Sequence, residues 1–461
     1  FFKQKTAYEI RPRDWSSDVC SSDLGYQVRF EEIAGRTTRL RFLTEGVLTR
    51  RLLSDPMLKG VSVVVLDEFH ERHMDGDLAL ALLRRLQRGA RPDLKIIVMS
   101  ATLHTASIAQ YLGNIPVVRS EGRLYPLEIE YTPHSALPLE EQVVQAFARL
   151  REHTGDILVF LPGAAEIRKS ERLLRPIAER AAVDVFALHG DLSPEEQDRA
   201  VARGPRRKII LSTNVAESSV TIEGVTAVID SGLARVPSDS PWSGISKLEV
   251  RRVSQASATQ RAGRAGRTAP GRVIRLYTAE DFHRRPQADT PELLRRELSS
   301  ICLQLRAMKV ESLEWLDAPP EAAWDAASLL LTRLRATEEM AELPLAPRLA
   351  KLVLEAAHAG VPEKGCAVAA VISSGERGST DLLTLAEGQW LPQTQKIYDQ
   401  LRRRIRGKDK TRDDSAILQS ILAAFPDRVA KHRRDGELLL ANGDSAVLPG
   451  CQHEWLVAVD V

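Results

Sequence analysis

Val63-Val64-Val65-Leu66-Asp67-Glu68-Phe69-His70-Glu71-Arg72 sets four apolar, mostly β-branched residues directly before two carboxylates. A short apolar run of this kind predicts a strand buried on both faces, as in a parallel sheet. Asp67 and Glu68 then fall at the strand's carboxyl end, where open α/β sheets bind ligands. Asp followed by Glu at that point suits nucleotide hydrolysis: the Asp holds Mg²⁺, and the Glu orients and deprotonates the attacking water. A solvated acidic turn closing a core strand is the alternative reading, and the surrounding chain decides between them.

Strands and helices alternate on both sides of this stretch, which predicts a parallel sheet. Upstream, Tyr26–Phe30 and Thr38–Leu43 read as strands; a helix follows Thr44-Glu45-Gly46 through Leu53, with Pro56 just beyond. Downstream, a Leu- and Ala-rich helix covers 76–87, and Lys95–Met99 is a further strand ending in Ser100-Ala101-Thr102. The pattern repeats between Gly155 and Phe282, with strands at Ile157–Leu161, Val183–Leu188, Lys208–Leu211 and Ala227–Asp230. Glu121–Pro138 reads as the linker between these two α/β units. From Pro291 the spacing turns helical through Leu293, Leu294, Leu298, Ile301 and Leu305, with further helices over 322–334, 346–358 and 365–374. The charge run 401–414, with Arg402-Arg403-Arg404-Ile405-Arg406, reads as a solvated face; a nucleic-acid contact is the alternative. Past Pro426, Leu438–Ala441 and Trp455–Val459 are strand-like.

A chain of 461 residues is too long for one core, so three or more domains are expected. Hydrophobic residues at 43% and charged residues at 27% suit a globular protein, and no apolar run is long enough to span a membrane. Net charge is +2 and the isoelectric point near 8.3, so any basic nucleic-acid surface has to be local. Cys20, Cys302, Cys366 and Cys451 are widely spaced without a CxxC, which argues against a zinc site or a disulfide framework and fits a reducing cytoplasm. Residues 1–24 show neither helical nor strand period; they resemble translated sequencing-adapter read-through and are expected to be a non-native or disordered tail.

The strongest local signal is Gln260-Arg261-Ala262-Gly263-Arg264-Ala265-Gly266-Arg267. Glycine lets backbone approach a ligand, and guanidinium forks match phosphate oxygens. On a segment expected to open a helix, spacings of three bring Arg261, Arg264 and Arg267 near one face. Stacked like charges repel, so an anion is expected opposite them.

Asp67-Glu68-Phe69-His70, Ser100-Ala101-Thr102, Thr213-Asn214-Val215-Ala216-Glu217-Ser218-Ser219 and Gln260–Arg267 together resemble the ordered motif set of the DEAH-box helicases of superfamily 2. Phe69, Trp315–Pro320, Phe425–Ala430 and His453–Leu456 are similar to a bacterial branch of that family. The resemblance implies two RecA-like α/β lobes followed by winged-helix and helical-bundle domains and the start of a C-terminal β domain, OB-like in relatives. The expected boundaries are 25–133, 134–283, 284–343, 344–424 and 425–461.

It also implies ATP and Mg²⁺ as cofactors and RNA or DNA as partner, with RNA favoured. Asp67 would bind the metal, Glu68 would be the hydrolytic base, and His70 would link the ATP site to the second lobe. Ser100 and Thr102 would couple hydrolysis to lobe movement. Gln260 would position the water or γ-phosphate, and Arg264 and Arg267 would be arginine fingers. Ser219, Thr221 and Glu223 would form the second-lobe coupling motif, with Glu223 where many relatives have Asp. Thr44 and Gly46 in the first lobe, and Gly163 and Thr213 in the second, would hold the nucleic-acid backbone. Asp230–Gln255 would contain a strand-separating hairpin, with Trp242 as a candidate tip.

One feature departs from the family. No G-x-x-x-x-G-K-[ST] phosphate loop precedes Asp67. A first lobe without its opening strand and phosphate loop is therefore expected. ATP hydrolysis is expected of the parent protein, and the alternative for this chain is a catalytically silent nucleic-acid-binding fragment.

Overall fold

The computed structural model describes residues 23–28, 31–35, 37–101, 105–120, 125–218, 222–239, 246–376, 378–411, 413–433, 436–441, 443–448, 450–451 and 453–459. The expected tail up to residue 22, together with Thr102, Ser219, Thr221 and Trp242, lies outside the described residues.

The chain opens with β1 (Leu24–Val28), β2 (Glu31–Ile33), β3 (Leu40–Leu43), α1 (Glu45–Ser54), β4 (Val63–Leu66), a 3₁₀ turn at Phe69–Glu71, α2 (Met74–Arg88), β5 (Lys95–Val98) and α3 (Ala106–Tyr111). The second unit runs β6 (Leu127–Tyr131), α4 (Leu139–Arg149), β7 (Asp156–Phe160), α5 (Ala164–Arg180), β8 (Asp184–Leu188), α6 (Pro194–Val201), β9 (Lys208–Ser212), α7 (Val215–Ser218), β10 (Val225–Asp230), β11 (Leu233–Asp239), β12 (Ser246–Arg252), α8 (Gln255–Gly263), β13 (Gly271–Arg275) and α9 (Ala279–Arg284). Helices follow: α10 (Ser299–Ala307), α11 (Glu321–Arg333), α12 (Glu338–Glu342), α13 (Pro347–His358), α14 (Pro362–Ser374), α15 (Leu382–Glu387), α16 (Pro392–Arg404) and α17 (Ser415–Ala424). The last elements are β14 (Val429–His432), β15 (Glu437–Leu440), β16 (Ser445–Val447) and β17 (Trp455–Val457).

The second unit is a six-stranded sheet in the order β6-β13-β10-β7-β9-β8. Every pairing in it is parallel. Its central strands β7, β9 and β10 are almost wholly buried, because apolar cores cover both faces. The segment read as linker supplies the edge strand β6, paired with β13 from Leu127↔Gly271 to Tyr131↔Arg275. The boundary expected at 133 therefore falls ahead of β6. Leu-Glu-Ile-Glu-Tyr carries the period-2 alternation of an edge strand, and Glu130 pairs with Arg149 of the same unit.

The first unit is built differently. Its strands form two separate sheets, β2-β1-β3 and β4-β5. The expectation that Val63–Leu66 is buried on both faces does not hold: Val64 and Leu66 are buried, while Val63 is 46% exposed. Ile97 and Met99, on and just past β5, are also exposed, so one face of this small sheet is bare. The covered face belongs to α1 and α2. Residues Gly76–Arg84 of α2 are all buried, and Leu78, Leu80, Leu82 and Leu83 share one core cluster with Leu293, Leu298, Ile301 and Leu352 of the helical region. The first unit thus takes its core from the C-terminal helices. The last four strands form an antiparallel sheet, β16-β15-β14-β17, which also contains two short strands not foreseen from the sequence, β14 and β16. Among the described residues no helix is long and apolar enough to cross a membrane.

Truncation should distinguish the two sheets. Ile210→Ala, in a fully buried strand, is expected to cost about 2–5 kcal/mol, and Ile97→Ala, on the bare face, under about 1 kcal/mol. Chemical denaturation measures both. Amide exchange should also be faster across Gly25–Arg119 than across Gly155–Phe282, and equal protection would contradict the assignment of a weaker first sheet.

Candidate functional site

β4 and β5 run parallel with Leu66 opposite Val98, and their ends are tied by Met99 N–H to Leu66 O at 2.7 Å and Phe69 N–H to Met99 O at 3.0 Å. The chain then turns sharply. Glu68 at φ 48° and Arg72 at φ 50° both adopt the left-handed backbone that non-glycine residues rarely take, and they bracket the 3₁₀ turn. Such strain persists where surrounding contacts over-determine it. Phe69 is buried beneath the turn. His70 Nδ1 accepts from the Ala101 N–H at 3.3 Å and lies 3.6 Å from the Glu68 carboxylate. With Nδ1 accepting, the neutral ring carries its proton on Nε2, a buried donor without an acceptor among the described residues. Burial raises the pKa of Asp67 above the ordinary carboxylate range, and the Glu68 charge adds to the rise.

The arginine-rich segment does not open a helix as expected. It closes α8 at Gly263, and Arg264–Arg267 continue as a turn. Gly266 is small for a packing reason, since a Cβ there would stand 2.9 Å from Leu127 Cδ2 and 3.0 Å from Tyr125 O. The three arginines also part company. Arg261 turns inward and is fully buried, with Nε 2.9 Å from Glu217, Nη1 3.0 Å from Asp230, and the Phe160 ring 4.8 Å from its guanidinium carbon. The anion expected opposite it is the protein's own. Arg264 is buried too, and its Nε donates to Glu217 O at 2.8 Å. Burial, then the neighbouring Arg267, pull its pKa down to about 10, against Glu217, Glu68 and Glu71. Arg267 is more exposed; burial lowers its pKa and the Glu68 carboxylate opposes this. The charge at the end of β4 therefore acts on both arginines of the second unit. With Leu158, Ala216, Ile222 and Val225, those arginines line a small cleft.

Residues 139–269 match the model of the helicase conserved C-terminal domain. The ATP-dependent RNA helicase HrpB of Escherichia coli (strain K12) is 39% identical over 94% of this chain and 56% of its own length. In sequence and in fold the chain is similar to DEAH/RHA helicases. A Haemophilus influenzae protein named as an ATP-dependent RNA helicase HrpA homolog is 35% identical over 73% of the chain and 28% of its own length. A crystal structure of the E. coli DEAH/RHA helicase HrpB superposes with a TM-score of 0.86 at 38% identity, covering 95% of this chain and 58% of that one. The chain thus spans little more than half of the HrpB relative it matches.

Within this helicase fold the remaining predicted residues fall at element ends. Gln260 is half-buried on the last turn of α8. Thr44 is the N-cap of α1 and its N–H bonds Gln27 O at 3.3 Å. Gly46 gives way to Asp75, whose Oδ2 would be 2.9 Å from a Cβ there, and Gly163, the N-cap of α5, gives way to the Arg235 guanidinium. Thr213 follows β9, its N–H on Leu188 O at 3.2 Å. Ser100 lies half-buried after β5, and Glu223 is exposed ahead of β10.

Sequence reasoning missed the residues that hold the site. Glu217 lies inside a motif that was recognised, yet its burial and double use, carboxylate on Arg261 and carbonyl on Arg264, has no sequence signal. Asp230, at the end of a buried strand, could have been suspected on the same grounds as Asp67. Beyond Glu68, His73 sits between Glu71 at 2.9 Å and Glu292 at 3.7 Å. Burial opposes its charge, but the carboxylates of Glu292, Glu71 and Glu45 raise its pKa to about 10. Burial pushes Glu45 up to about 7, while against its own burial Glu292 is held down to about 2 by His73 and the Met74 N–H.

These charges set three expected outcomes. Arg261→Ala leaves Glu217 and Asp230 buried without their cation, so it is expected to cost about 3–5 kcal/mol. Arg267→Ala is expected to stay within about 0.5 kcal/mol of the unaltered chain in the same denaturation experiment. His73, with a pKa raised to about 10, stabilises the fold fully below about pH 6.5, its unfolded value, and loses that contribution as pH rises through 10. The difference in Tm between the unaltered chain and His73→Gln should accordingly be largest near pH 6 and shrink at alkaline pH.

Proposed function

We propose that this chain carries the catalytic core of an ATP-dependent helicase or translocase acting on nucleic acid. RNA is the favoured substrate because the relatives are named RNA helicases. The observation that supports this most is that the end of β4 and the turn after α8 stand close enough for the Glu68 charge to act on Arg264 and Arg267, although burial lowers the pKa of both. Carboxylates on one lobe and guanidiniums on the other can hold the two ends of a metal-bound triphosphate between them. In the same reading, residues 284–343 are a winged-helix domain, 344–424 a helical bundle, and 425–461 the start of a β domain.

The residues present fit the metal and terminal-phosphate end of that ligand. Asp67 stands half-buried at the end of β4 with its pKa raised by burial, Arg267 is exposed beside the buried Arg264, and His70 Nε2 is a buried donor without an acceptor among the described residues. Mg²⁺·ATP, when bound, supplies the phosphoanhydride bond and the metal charge. Asp67 would hold the metal, and Glu68 would orient a water and take its proton. His70 Nε2 would donate across to the second lobe, where Gln260 would position the water. Arg267, the more accessible arginine, would neutralise the terminal phosphate, while Arg264, anchored on Glu217, would fix the loop it stands on and add charge. Ser100 and Thr102 in the first lobe, and Ser219, Thr221 and Glu223 in the second, would couple this chemistry to lobe movement. Thr44, Gly46, Gly163 and Thr213 would contact the nucleic-acid backbone.

A second reading, a silent nucleic-acid-binding fragment, is favoured by the absence of a G-x-x-x-x-G-K-[ST] from these residues. The 461-residue polypeptide is expected to turn over ATP far below a typical kcat of about 10 s⁻¹, and nucleic-acid-stimulated turnover within about tenfold of that value would contradict this. In a chain bearing a phosphate loop ahead of these residues, Arg267→Ala should lower turnover by at least about 10³ and leave nucleotide binding within about tenfold. Glu68→Gln should block turnover there. Near-parental hydrolysis by Arg267→Ala would overturn the assignment of the finger.

A further inference from the structure

The turn that carries Glu68 is held from a distance. Glu292, 218 positions beyond Met74, opens the 3₁₀ turn Glu292–Leu294 ahead of α10, and its carboxylate accepts from the Met74 N–H at 3.0 Å. That places an anion at the start of α2, where the first N–H groups lack helical partners and the helix dipole favours negative charge. The Glu292 N–H in turn donates to Arg72 O at 3.0 Å. The Arg72 side chain reaches Asp77 at 2.9 Å and Asp317 at 2.6 Å. His73 bridges Glu71 and the same Glu292 carboxylate. Further along α2, Arg84 and Arg88 both reach Glu314, whose carbonyl accepts from Tyr111. Around His73 stand Glu71 in the turn, Glu45 of α1, Asp75 of α2 and Glu292; Arg50 offsets Asp75 and Arg295 offsets Glu292. His73 is thus the cation at the centre of a ring of carboxylates.

We propose that Glu292 and His73 are a positioning pair that ties the Glu68 turn to the helical region, so that displacement of that region reorients the Glu68 carboxylate. The proposal rests on the reading of Glu68 as the hydrolytic base. Its mechanical basis is the left-handed backbone at Glu68 and Arg72. A turn strained at both ends needs outside contacts to hold it. Three of the contacts that hold it come from 292–317: the Glu292 N–H on Arg72 O, the Glu292 carboxylate on Met74 N–H and His73, and Asp317 on Arg72. Other ties are local, among them Phe69 N–H to Met99 O, Ala101 N–H to His70, Arg72 to Asp77 and His73 to Glu71. Loss of the distant set removes the over-determination at Arg72 first, four residues from Glu68. Neither residue touches a reacting atom; they act through the turn.

The test reads the turn without ATP hydrolysis, so its failure is separate from any failure of the helicase reading. In the full chain at pH 7, Glu292→Gln is expected to speed amide exchange of residues 66–77 at least about tenfold, leaving 157–174 in the second lobe and 349–356 in the helical core unchanged. His73→Gln should do the same, and His73→Lys, which restores a cation, should recover the protection. By NMR, the His73 ring in Glu292→Gln should titrate well below its value in the unaltered chain. Exchange of 66–77 within about twofold of the unaltered chain in both Glu292→Gln and His73→Gln would overturn the proposal. So would loosening of 66–77 and 349–356 to the same degree, because Glu292 would then serve general stability. Should Glu292→Gln not fold, Glu292→Asp, which keeps the charge but shortens the reach, is read by the same exchange and the same criteria. In a chain bearing a phosphate loop, Glu292→Gln should lower kcat with KM for ATP unchanged; an unaltered kcat alongside faster exchange at 66–77 would count against Glu68 as the base instead.

Discussion

A guanidinium buried among carboxylates sets the architecture of the second lobe. Arg261 is enclosed by Glu217, Asp230 and the Phe160 ring, and each partner comes from a different element: α7, the end of β10, and the end of β7. A charge taken out of water has to be matched on every side, or it costs several kcal/mol. The match extends outward. Asp230 also accepts from the Tyr277 hydroxyl at 2.9 Å, and Arg285 stacks 3.8 Å from the Tyr277 ring centre while donating to Gly232 O. Gly232, at φ 69°, has no room for a Cβ, which would stand 2.5 Å from that guanidinium. The network fixes where α8 ends, and so where Arg264 and Arg267 begin. The two arginines that face the first lobe owe their position to the one that does not.

The first lobe depends on a different kind of constraint. Its small sheet is covered on one face only, and the helix beneath it, α2, is buried from Gly76 to Arg84, where it packs in one core with that sheet and the C-terminal helices. Apolar burial supplies the bulk of the contact, and a line of charges from Arg72 to Glu314 supplies its register. The turn at the end of β4 and the packing of the helical region are consequently not independent. The acidic pair stands on a strained turn whose outer end is gripped by residues from the next module. The second lobe, by contrast, carries complete cores on both faces of its own sheet.

Much of this was legible in the order of residues. Period-2 and continuous apolar runs located β4, β5, β7, β8, β9 and β10 to within a few positions, because a buried strand must be apolar whatever surrounds it. Asp67-Glu68 and the Gln260–Arg267 segment named the two halves of the candidate site by side-chain chemistry alone. The readings that failed share one cause. Whether Val63 is covered, whether Leu127–Tyr131 is linker or edge strand, and whether Arg261 shares a face with Arg264 and Arg267 or turns inward are questions about neighbours distant in sequence.

The sequence by itself determined the two-lobe α/β plan and the inventory of reactive groups, since strand period, turn chemistry and functional-group identity are local properties. Tertiary structure alone decided how those groups are divided. It turned one arginine of three into a structural cation, set the other two in the field of Glu68, and gave Glu292 a grip on a helix 218 positions away. Burial and Coulombic pairing depend on distance in space, and a linear pattern does not encode that distance.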